Sequence, residues 1–346
     1  MRMRSRYSAL AAAVLVVASC SSAASTPTTA PTTAASTPTT AASVGGYTIG
    51  IVEQQASNPF FVNLEAAAKA EAQAHGLTVI TAESATAGDS ATQVTAIQDM
   101  INRGVKGISL DPANATAVVP AVQQAAAAGI LVVAVNTETS PSSAVAATYE
   151  TDNLAGGKLM GEYAKAKIGT TKPVVALLDY DLTDKTSKAR HDGFLAGFGI
   201  AEGSPEIAAE IQTQANADSG QTAMENMLSA HPTINVVYTI NEPMAVGAAA
   251  AIKAANLGHP VVLVSIDGSC SGVQAVKSGQ IGATVMQFPS KMGKQAVDAI
   301  INYVNTGQKP SGIIDTGTSL ITDQPITGVQ SQDTTWGLQN CWGPTS

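Results

Sequence analysis

From residue 47 onward, short runs of aliphatic and β-branched residues alternate with alanine-rich segments that have helical periodicity. The runs are YTIGIV, LTVIT, GISL, ILVVAV, PVVALL, NVVYTI and PVVLVSI, at residues 47–52, 77–81, 107–110, 130–135, 173–178, 235–240 and 260–266. This alternation predicts parallel strands joined by right-handed helical crossovers. The runs are apolar along almost their whole length, as expected for sheets that helices cover on both faces. The sequence therefore predicts an α/β fold with doubly wound parallel sheets.

The chain has 346 residues, which is enough for two domains of ordinary size. Its formal net charge is -8 at pH 7, and no basic cluster follows the first few residues. Because binding to phosphate backbones requires a basic surface, this charge balance argues against a nucleic-acid partner.

The amino terminus has the layout of an export signal. Three arginines stand among the first six residues, an apolar run extends from about residue 10 to residue 18, and small residues precede Cys20. The run is too short to span a bilayer as a stable helix, so we interpret residues 1–19 as a signal peptide. The ending VASC resembles the lipobox of bacterial lipoproteins, which implies cleavage before Cys20 and attachment of lipid to its thiol. The alternative is a plain secretory signal with an incidental cysteine.

Residues 21–43 consist of small polar residues and repeated proline, which cannot bury a core. We expect residues 20–46 to comprise the lipidated cysteine and a disordered, fairly extended tether. A lipid and a tether ahead of the first strand predict an extracytoplasmic protein, anchored to the outer face of the cell membrane as a bacterial lipoprotein.

The sequence contains three cysteines. If Cys20 carries lipid, Cys270 and Cys341 remain, and export of the chain favours a disulfide between them. Two separate buried thiols are the alternative. No histidine or further cysteine lies at a spacing typical of metal ligands, so we expect neither a metal site nor a cofactor.

Polar side chains recur just after the predicted strands. They are Gln54, Asn58, Asp111, Asn136, Thr137, Arg190, Asn241, Asp267 and Gln287. Taken singly, such residues commonly cap the next helix or belong to a solvated face. Because ligands of open α/β sheets bind beyond the carboxyl ends of the strands, we expect the group to form one site. Carboxylates, amides and a guanidinium suit the hydroxyls of a sugar, and the adjacent rings of Phe60 and Phe61 suit its C–H face.

Several motifs, taken in order, resemble the sugar-binding lipoproteins and periplasmic proteins of ABC importers, in the ribose-binding-like group of type I periplasmic binding proteins. The resemblance covers the chain from about Tyr47 to Trp342. The motifs are TIGIVEQQASNPFFVNL, NRGVKGISLDP, TDNLAGGKLMGEYA, ARHDGF, AMENMLSAHP, INEPMAVGA, SIDGSCSGVQAVKSG and GATVMQFPSKMG. A subgroup associated with fructose is the closer match, through INEP, the run SIDGSC and a tail from Asp315 to Gly343. The last two of these contain Cys270 and Cys341.

The resemblance implies two α/β lobes joined by a multi-strand hinge. We place the N-terminal lobe at residues 47–151 plus 288–316, and the C-terminal lobe at residues 152–287 plus 317–346. A ligand that bridges the lobes would favour the closed form through its higher affinity for that state. The implied function is capture of a monosaccharide or polyol, with fructose as the leading ligand, and its delivery to the permease of an ABC transporter. The implied protein is a monomer and not an enzyme.

On the first-lobe side, the resemblance gives a role to five residues. Phe60 and Phe61 would lie against the sugar ring, and Phe61 is the better candidate for stacking. Gln54, Asn58 and Asp111 match polar positions that contact the ligand.

On the second-lobe side, Arg190 matches an arginine that reaches ring or hydroxyl oxygens. Asn241, Asp267 and Gln287 match an amide–carboxylate–amide set that contacts hydroxyls. Asn216 lies where ribose-binding proteins place a second aromatic ring, so a tight sandwich of a pyranose between two rings is not expected here.

The pair Asn136-Thr137 departs from the family pattern, which often has Asp followed by Arg or Thr after the fourth strand. A neutral amide at this point removes one charge-assisted contact and changes which pattern of hydroxyls fits.

Three other functions use some of the same features. Asp111, Glu242 and Asp267 could furnish two carboxylates for glycoside hydrolysis, but no catalytic motif accompanies them. A repressor with the same fold would need a DNA-reading helix pair where this chain has an export signal. A sensor subunit that presents the bound sugar to a membrane receptor is an open alternative.

Overall fold

The computed structural model describes residues 46–54, 58–84, 86 and 88–344. The predicted signal peptide, the lipid acceptor Cys20 and nearly all of the predicted tether lie outside the described residues. Within the described residues, no helix is both long enough and apolar enough to cross a membrane.

Strands and helices alternate through most of the chain. The strands are β1 (Thr48–Glu53), β2 (Thr78–Glu83), β3 (Gly107–Leu110), β4 (Leu131–Val135), β5 (Ala147–Glu150), β6 (Val175–Asp179), β7 (Ile207–Gln212), β8 (Val236–Thr239), β9 (Val262–Asp267), β10 (Ala283–Met286), β11 (Gly312–Asp315) and β12 (Ser319–Ile321). The helices are α1 (Pro59–Ala74), α2 (Ser90–Asn102), α3 (Val119–Ala127), α4 (Asn153–Ile168), α5 (Lys185–Phe198), α6 (Ala217–Ala230), α7 (Glu242–Ala255), α8 (Cys270–Lys277), α9 (Pro289–Thr306) and α10 (Thr334–Asn340).

In the described part of the chain, the strands form two six-stranded sheets. The first sheet has the order β11-β5-β4-β3-β1-β2, and its pairings are parallel. The second sheet has the order β12-β10-β9-β8-β6-β7. Its edge strand β12 runs antiparallel to β10, and its other pairings are parallel. The predicted α/β fold with two parallel sheets is confirmed.

Helices cover both faces of the first sheet because successive residues of a strand point to opposite sides. Ile51 of β1 belongs to a buried cluster with Leu64 of α1 and Ile300 of α9. Its neighbour Val52 belongs to a second cluster, with residues of α2 and α3. In the second sheet, one large cluster joins the strands to α4, α5, α6 and α7.

Helices α4 and α5 meet backbone to backbone. A Cβ atom on Gly157 would lie 2.2 Å from the carbonyl oxygen of Arg190, and one on Gly193 would lie 2.3 Å from that of Leu154. Glycine permits this approach because it has no side chain. Since Arg190 lies on α5, the contact fixes the point from which its side chain extends.

Within the described residues, the chain passes between the two sheets three times: between β5 and α4, between β10 and α9, and between β11 and β12. A disulfide joins Cys270, at the start of α8, to Cys341, just after α10. The two cysteines are therefore paired, as the sequence predicted, rather than separate thiols.

Candidate ligand-binding site

Four predicted site residues meet at the carboxyl ends of β1, β3 and β4, and we call them the first polar set: Gln54, Asp111, Asn136 and Thr137. The Nε2 atom of Gln54 donates to Asp111 Oδ1 at 3.0 Å and to Thr137 Oγ1 at 3.3 Å. The Nδ2 atom of Asn136 donates to Asp111 Oδ2 at 3.1 Å. They meet because β3 lies between β1 and β4 in the sheet, so the three strand ends are neighbours.

The backbone around the first polar set is also fixed. Asn136 has a φ of 59°, in the left-handed region that asparagine tolerates better than most residues. The buried side chain of Gln93, from α2, donates to the carbonyl oxygens of Asp111 at 2.7 Å and Glu53 at 3.1 Å. This amide therefore holds the ends of β1 and β3 together.

Asp111 is fully buried, and burial raises its pKa to about 7. The hydrogen bonds from Gln54 and Asn136 oppose this rise in pKa, because they stabilise the carboxylate. The result is a carboxyl group that can change charge near neutral pH when a ligand adds or removes a hydrogen bond.

Arg190, Asp267 and Gln287 form the second polar set, at the carboxyl end of the second sheet. The Nη2 atom of Arg190 donates to Gln287 Oε1 at 3.0 Å, and Gln287 Nε2 donates to Asp267 Oδ1 at 3.0 Å. Arg190 also donates to Asn153 Oδ1 at 2.8 Å and to the carbonyl oxygen of Ile240 at 3.0 Å. Only 7% of Arg190 is exposed, so its guanidinium is held by protein partners on several sides.

Burial raises the pKa of Asp267 to about 7, and the nearby charge of Glu242 adds to the rise. The charge of Arg190 acts in the opposite direction. The backbone N–H of Glu242 donates to Asp267 Oδ2 at 3.0 Å, which orients the carboxylate. The second polar set thus combines a fixed cation, an amide and a carboxyl group of adjustable charge.

Glu242, a candidate acid in the hydrolase alternative, serves a structural purpose. Its carboxylate accepts from the N–H groups of Gly268 at 2.9 Å and Ser269 at 3.0 Å, from the Thr284 hydroxyl at 2.6 Å and from the Ser269 hydroxyl. Four donors saturate a buried carboxylate, so this group ties α7 to the loop after β9 and to β10.

Three predicted site asparagines have the contacts of helix caps. The Oδ1 atom of Asn58 accepts from the N–H of Phe60 at 2.9 Å, and that of Asn241 accepts from Met244 at 3.0 Å. Asn216 forms a capping box with Ser219 at the start of α6. Asn216 is exposed and lines a groove along β7 and α6 whose described lining includes no member of either polar set, so its contact with a ligand stays a prediction.

The two phenylalanines occupy different environments. Phe60 is 4% exposed, and its ring centroid lies 5.3 Å from that of Trp342 in an edge-to-face contact. Phe61 is half-buried and meets Phe60 edge-on at 5.6 Å. Phe60 therefore packs in the core beside Trp342, whereas Phe61 is partly exposed; contact of the two rings with a ligand stays a prediction.

Trp342 is a residue that the sequence analysis assigned no role. Its Nε1 atom donates to the carbonyl oxygens of Asp267 at 3.2 Å and Gln287 at 3.1 Å, and its ring packs with core residues of the first sheet. The backbone N–H of Cys270 donates to the Trp342 carbonyl at 2.9 Å, next to the disulfide. The sequence did contain a signal for this role: a tryptophan stands beside a cysteine that was predicted to pair, in a chain with only 4% aromatic residues.

The two sheets approach each other near the polar sets. Lys185, at the start of α5, donates to Glu138 Oε2 at 2.7 Å, and Glu138 follows β4. A cavity of about 350 Å³ lies beside this ion pair, within the size range of small-molecule sites. Among the described residues, none of those that line this cavity was predicted to bind the ligand. Asn153 lines it and accepts from Arg190, which joins the cavity to the second polar set.

Among the residues that the structure describes, two clusters of histidine and carboxylates lie elsewhere, each with three candidate metal-ligand atoms within 4.8 Å of one another. In one cluster, Glu71, His75 and Asp298, the ammonium of Lys294 already pairs with Glu71.

The second cluster is formed by Asp179, His191 and Glu210. Burial lowers the pKa of His191, but the bonds and charges of Asp179 and Glu202 outweigh it and raise the pKa to about 9. A protonated imidazole has no lone pair for a metal, so the geometry favours an ion-pair network there.

Comparison with known proteins agrees with this architecture. Residues 49–309 match the model of the periplasmic binding protein domain. The chain belongs to the periplasmic binding protein family. The ribose import binding protein of Bacillus subtilis is 30% identical to this periplasmic binding protein over 253 residues, which cover 73% of this chain and 80% of that protein. The D-apiose import binding protein of Actinobacillus succinogenes is 30% identical over 262 residues, which cover 75% and 82%.

Among solved structures, an ABC transporter solute-binding protein from Mycobacterium smegmatis with bound glycerol is similar, with a TM-score of 0.73 and 31% identity. The match covers 84% of this chain and 96% of that one. The relatives are named as binding proteins, which confirms at the level of the family the prediction that the chain is not an enzyme.

Proposed function

We propose that this periplasmic binding protein captures a monosaccharide between its two sheets and delivers it to the permease of an ABC transporter. The observation that carries the proposal is the pair of buried polar sets at the carboxyl ends of the sheets. Each set contains one carboxyl group and at least one amide, and the second adds Arg190. Such groups both donate and accept, as the hydroxyls of a sugar require.

The aromatic ring of Phe61 supports a carbohydrate ligand, since it is half-buried and lines the same cavity as Gln54, whose side chain belongs to the first polar set. A sugar ring can pack its C–H face on such a ring while its hydroxyls meet the polar sets. The names of the similar proteins, which mention ribose, apiose and glycerol, agree with a small polyhydroxylated ligand.

Within that class, we propose fructose. The resemblance of the runs around Asn241, Cys270 and Cys341 to the fructose-associated subgroup supports this choice. The first polar set contains one carboxyl group and two amides, because Asn136 stands where the family often has Asp. A set with a single carboxyl group accepts fewer charge-assisted hydrogen bonds than one with two, which favours a different pattern of hydroxyls from that of ribose.

The proposal includes a hinge at the three passages between the sheets. It assigns residues 47–151 and 288–316 to one lobe and residues 152–287 and 317–346 to the other. Ligand contacts from both lobes would stabilise the closed form, and the permease would then recognise that form. We further propose a monomer that is anchored through lipid on Cys20; replacement of Cys20 by Ser should release the protein from the membrane fraction.

A thermal-shift screen of fructose, ribose, allose, apiose, glucose and glycerol tests the ligand class, followed by calorimetric titration. We expect a dissociation constant in the micromolar range for fructose, about -8 kcal/mol, and weaker binding of the others. Asp267→Asn and Asp111→Asn should abolish the thermal shift. Asp218→Asn, which removes the same charge from the exposed first turn of α6, is the control and should leave it intact. If no sugar or polyol raises the melting temperature, the proposal is wrong.

A further inference from the structure

A second cavity, of about 230 Å³, lies between α1 and the carboxyl ends of β1 and β2. Three glutamates from three different elements line it: Glu53 at the end of β1, Glu65 on α1 and Glu83 at the end of β2. Phe61 and Val62 form an apolar part of its wall. None of these glutamates belongs to either polar set, so the sugar site does not account for them.

Glu53 is the unusual member of this cavity. It is 1% exposed, and neither of its carboxylate oxygens has a hydrogen-bond partner. Buried carboxylates are normally paired or hydrogen-bonded, because the loss of hydration is otherwise uncompensated. Glu242, at the start of α7, shows the normal arrangement, with four hydrogen bonds donated to a carboxylate that is also buried. An unpartnered carboxylate that lines a cavity indicates a ligand that would supply the missing partner.

The charges around Glu53 are predominantly negative. Burial raises its pKa well above the ordinary value, and the charges of Asp111, Glu65 and Glu83 raise it further. Among the described residues that line the cavity, Lys69 is the only cation, and it pairs with Glu65. Three glutamates therefore line this cavity with a single lysine, and a cation is the ligand that would offset the excess of acidic groups.

The geometry separates two kinds of cation. A metal ion such as Ca²⁺ needs several oxygens at 2.3 to about 2.6 Å, hence close to one another. In the described chain, the clusters with three ligand atoms within 4.8 Å of one another do not include the three glutamates of this cavity. An ammonium group on a carbon chain fits better, since Phe61 and Val62 offer a surface for the carbons and the ring of Phe61 attracts cations.

We propose that this cavity binds a primary ammonium group, with Glu53 as its carboxylate partner and Phe61 as its apolar wall. Gln54 and Phe61 line the cavity and are also predicted to contact the sugar, so the two sites adjoin. The ammonium group has two possible sources: an amino sugar in the cleft, or a separate small amine. With the first source, the inference rests on the proposed function and adds amino sugars to its ligand class.

Calorimetric titrations at pH 7 with glucosamine, glucose and ethylammonium chloride test the proposal, at constant ionic strength. If the amino sugar is the source, glucosamine should bind about 10-fold more tightly than glucose, and Glu53→Gln should remove this difference. If a separate amine is the source, ethylammonium should bind the wild type and not Glu53→Gln, while the two sugars behave alike. Glu83→Gln should weaken the ammonium response in either case and provides a second variant should Glu53→Gln not fold.

Glu71→Gln is the matched control, because it removes the same charge from α1 outside the cavity. A second readout is the release of protons, measured by titration in two buffers of different ionisation enthalpy. In the empty cavity, burial and the negative charges of Asp111, Glu65 and Glu83 raise the pKa of Glu53, while Lys69 is engaged with Glu65; a bound ammonium group would lower that pKa. Ammonium binding should therefore release more protons from the wild type than from Glu53→Gln.

Two results would overturn the proposal. One is an ammonium response that is absent, or that Glu53→Gln leaves unchanged. The other is binding of Ca²⁺ or Mn²⁺ that Glu53→Gln removes, without any ammonium response. Binding of neutral sugars, together with an ammonium response that is absent or independent of Glu53, would leave the proposed function standing while this inference failed. Binding of ethylammonium without binding of any sugar would support this inference while the proposed function failed.

Discussion

The two polar sets differ in how they are held. In the first polar set, Gln54 and Asn136 contact the Asp111 carboxylate, and the contacts join side chains on neighbouring strand ends of one sheet. In the second polar set, Arg190 reaches a helix, a strand end and another side chain, and the indole of Trp342 holds the backbone of Asp267 and Gln287. A disulfide adjoins that tryptophan.

The difference indicates that the two polar sets have different roles, which we call the division of labour: the second set is oriented in advance, and the first set adjusts to the ligand. The second polar set is cross-linked to several elements of the fold, so its charges are oriented before any ligand arrives. The first polar set depends on the mutual hydrogen bonds of a few amides, which can re-form around different hydroxyl patterns. We therefore expect substitutions in the second polar set to reduce stability and binding together, and substitutions in the first to affect binding more than stability.

The largest effect is expected for Arg190→Ala. It leaves the acceptors of Asn153, Gln287 and Ile240 without their donor and removes the positive charge beside Asp267. Breaking a buried charged network in this way typically costs about 4 kcal/mol in the free energy of unfolding. Chemical denaturation measures this loss. Lys188→Ala, on the same helix in an exposed pair with Asp192, should cost less than about 1 kcal/mol; equal losses would contradict the division of labour.

Removal of the disulfide should have the next largest effect. The double substitution of Cys270 and Cys341 by Ala opens a link across 71 residues and should lower the free energy of unfolding by about 3 kcal/mol. Because Trp342 adjoins Cys341, sugar affinity should fall as well. Titration of the reduced wild type provides the comparison. Unchanged affinity in both proteins would show that the disulfide does not support the second polar set.

The neighbouring phenylalanines should separate binding from stability. Phe61→Ala should weaken sugar binding by about 2 kcal/mol if the ring stacks on the ligand, with a small effect on unfolding. Phe60→Ala should instead lower the free energy of unfolding by about 3 kcal/mol, because it leaves a hole beside Trp342. Calorimetric titration and denaturation of both variants test this. The reverse pattern would exchange the roles assigned to the two rings.

The smallest effect concerns pH. In the folded protein the pKa of Asp111 is about 7, above its value in the unfolded chain. The unfolded state therefore loses this proton first as the pH rises, and the ligand-free protein loses stability through that range. We expect the free energy of unfolding to fall by about 1 kcal/mol between pH 6 and pH 7 from this group. Asp111→Asn should remove that part of the dependence; an identical slope in the variant would contradict the assignment.

Much of the fold and part of the site could be predicted from the sequence. Apolar runs such as GISL and ILVVAV mark parallel strands because both of their faces are buried, and strand ends mark the site because parallel strands end on one edge. Asp111 and Asn136 were assigned to the candidate site in this way, and the structure places them in hydrogen-bond contact. The cap interpretation, left open for single asparagines, describes the contacts of Asn58, Asn216 and Asn241.

Other features could not be predicted, because they depend on which distant segments meet. Phe60 and Phe61 are adjacent in sequence, yet neighbouring residues of a helix point in different directions, so Phe60 lies in the core and Phe61 lies nearer the surface. Trp342 contacts residues that lie 55 and 75 positions away. The close approach of α4 and α5 likewise needs glycines on both helices to face each other, and local sequence does not show this.

That backbone contact has a consequence for the redesign of ligand preference. Gly157 and Gly193 leave no side chain between α4 and α5. A larger residue at either position would clash with the backbone of the other helix, so substitutions there cannot be used to adjust the helix packing. The backbone position from which the Arg190 side chain extends is therefore fixed. To change the ligand preference, the side chains of the first polar set should be substituted, and Arg190 should be kept.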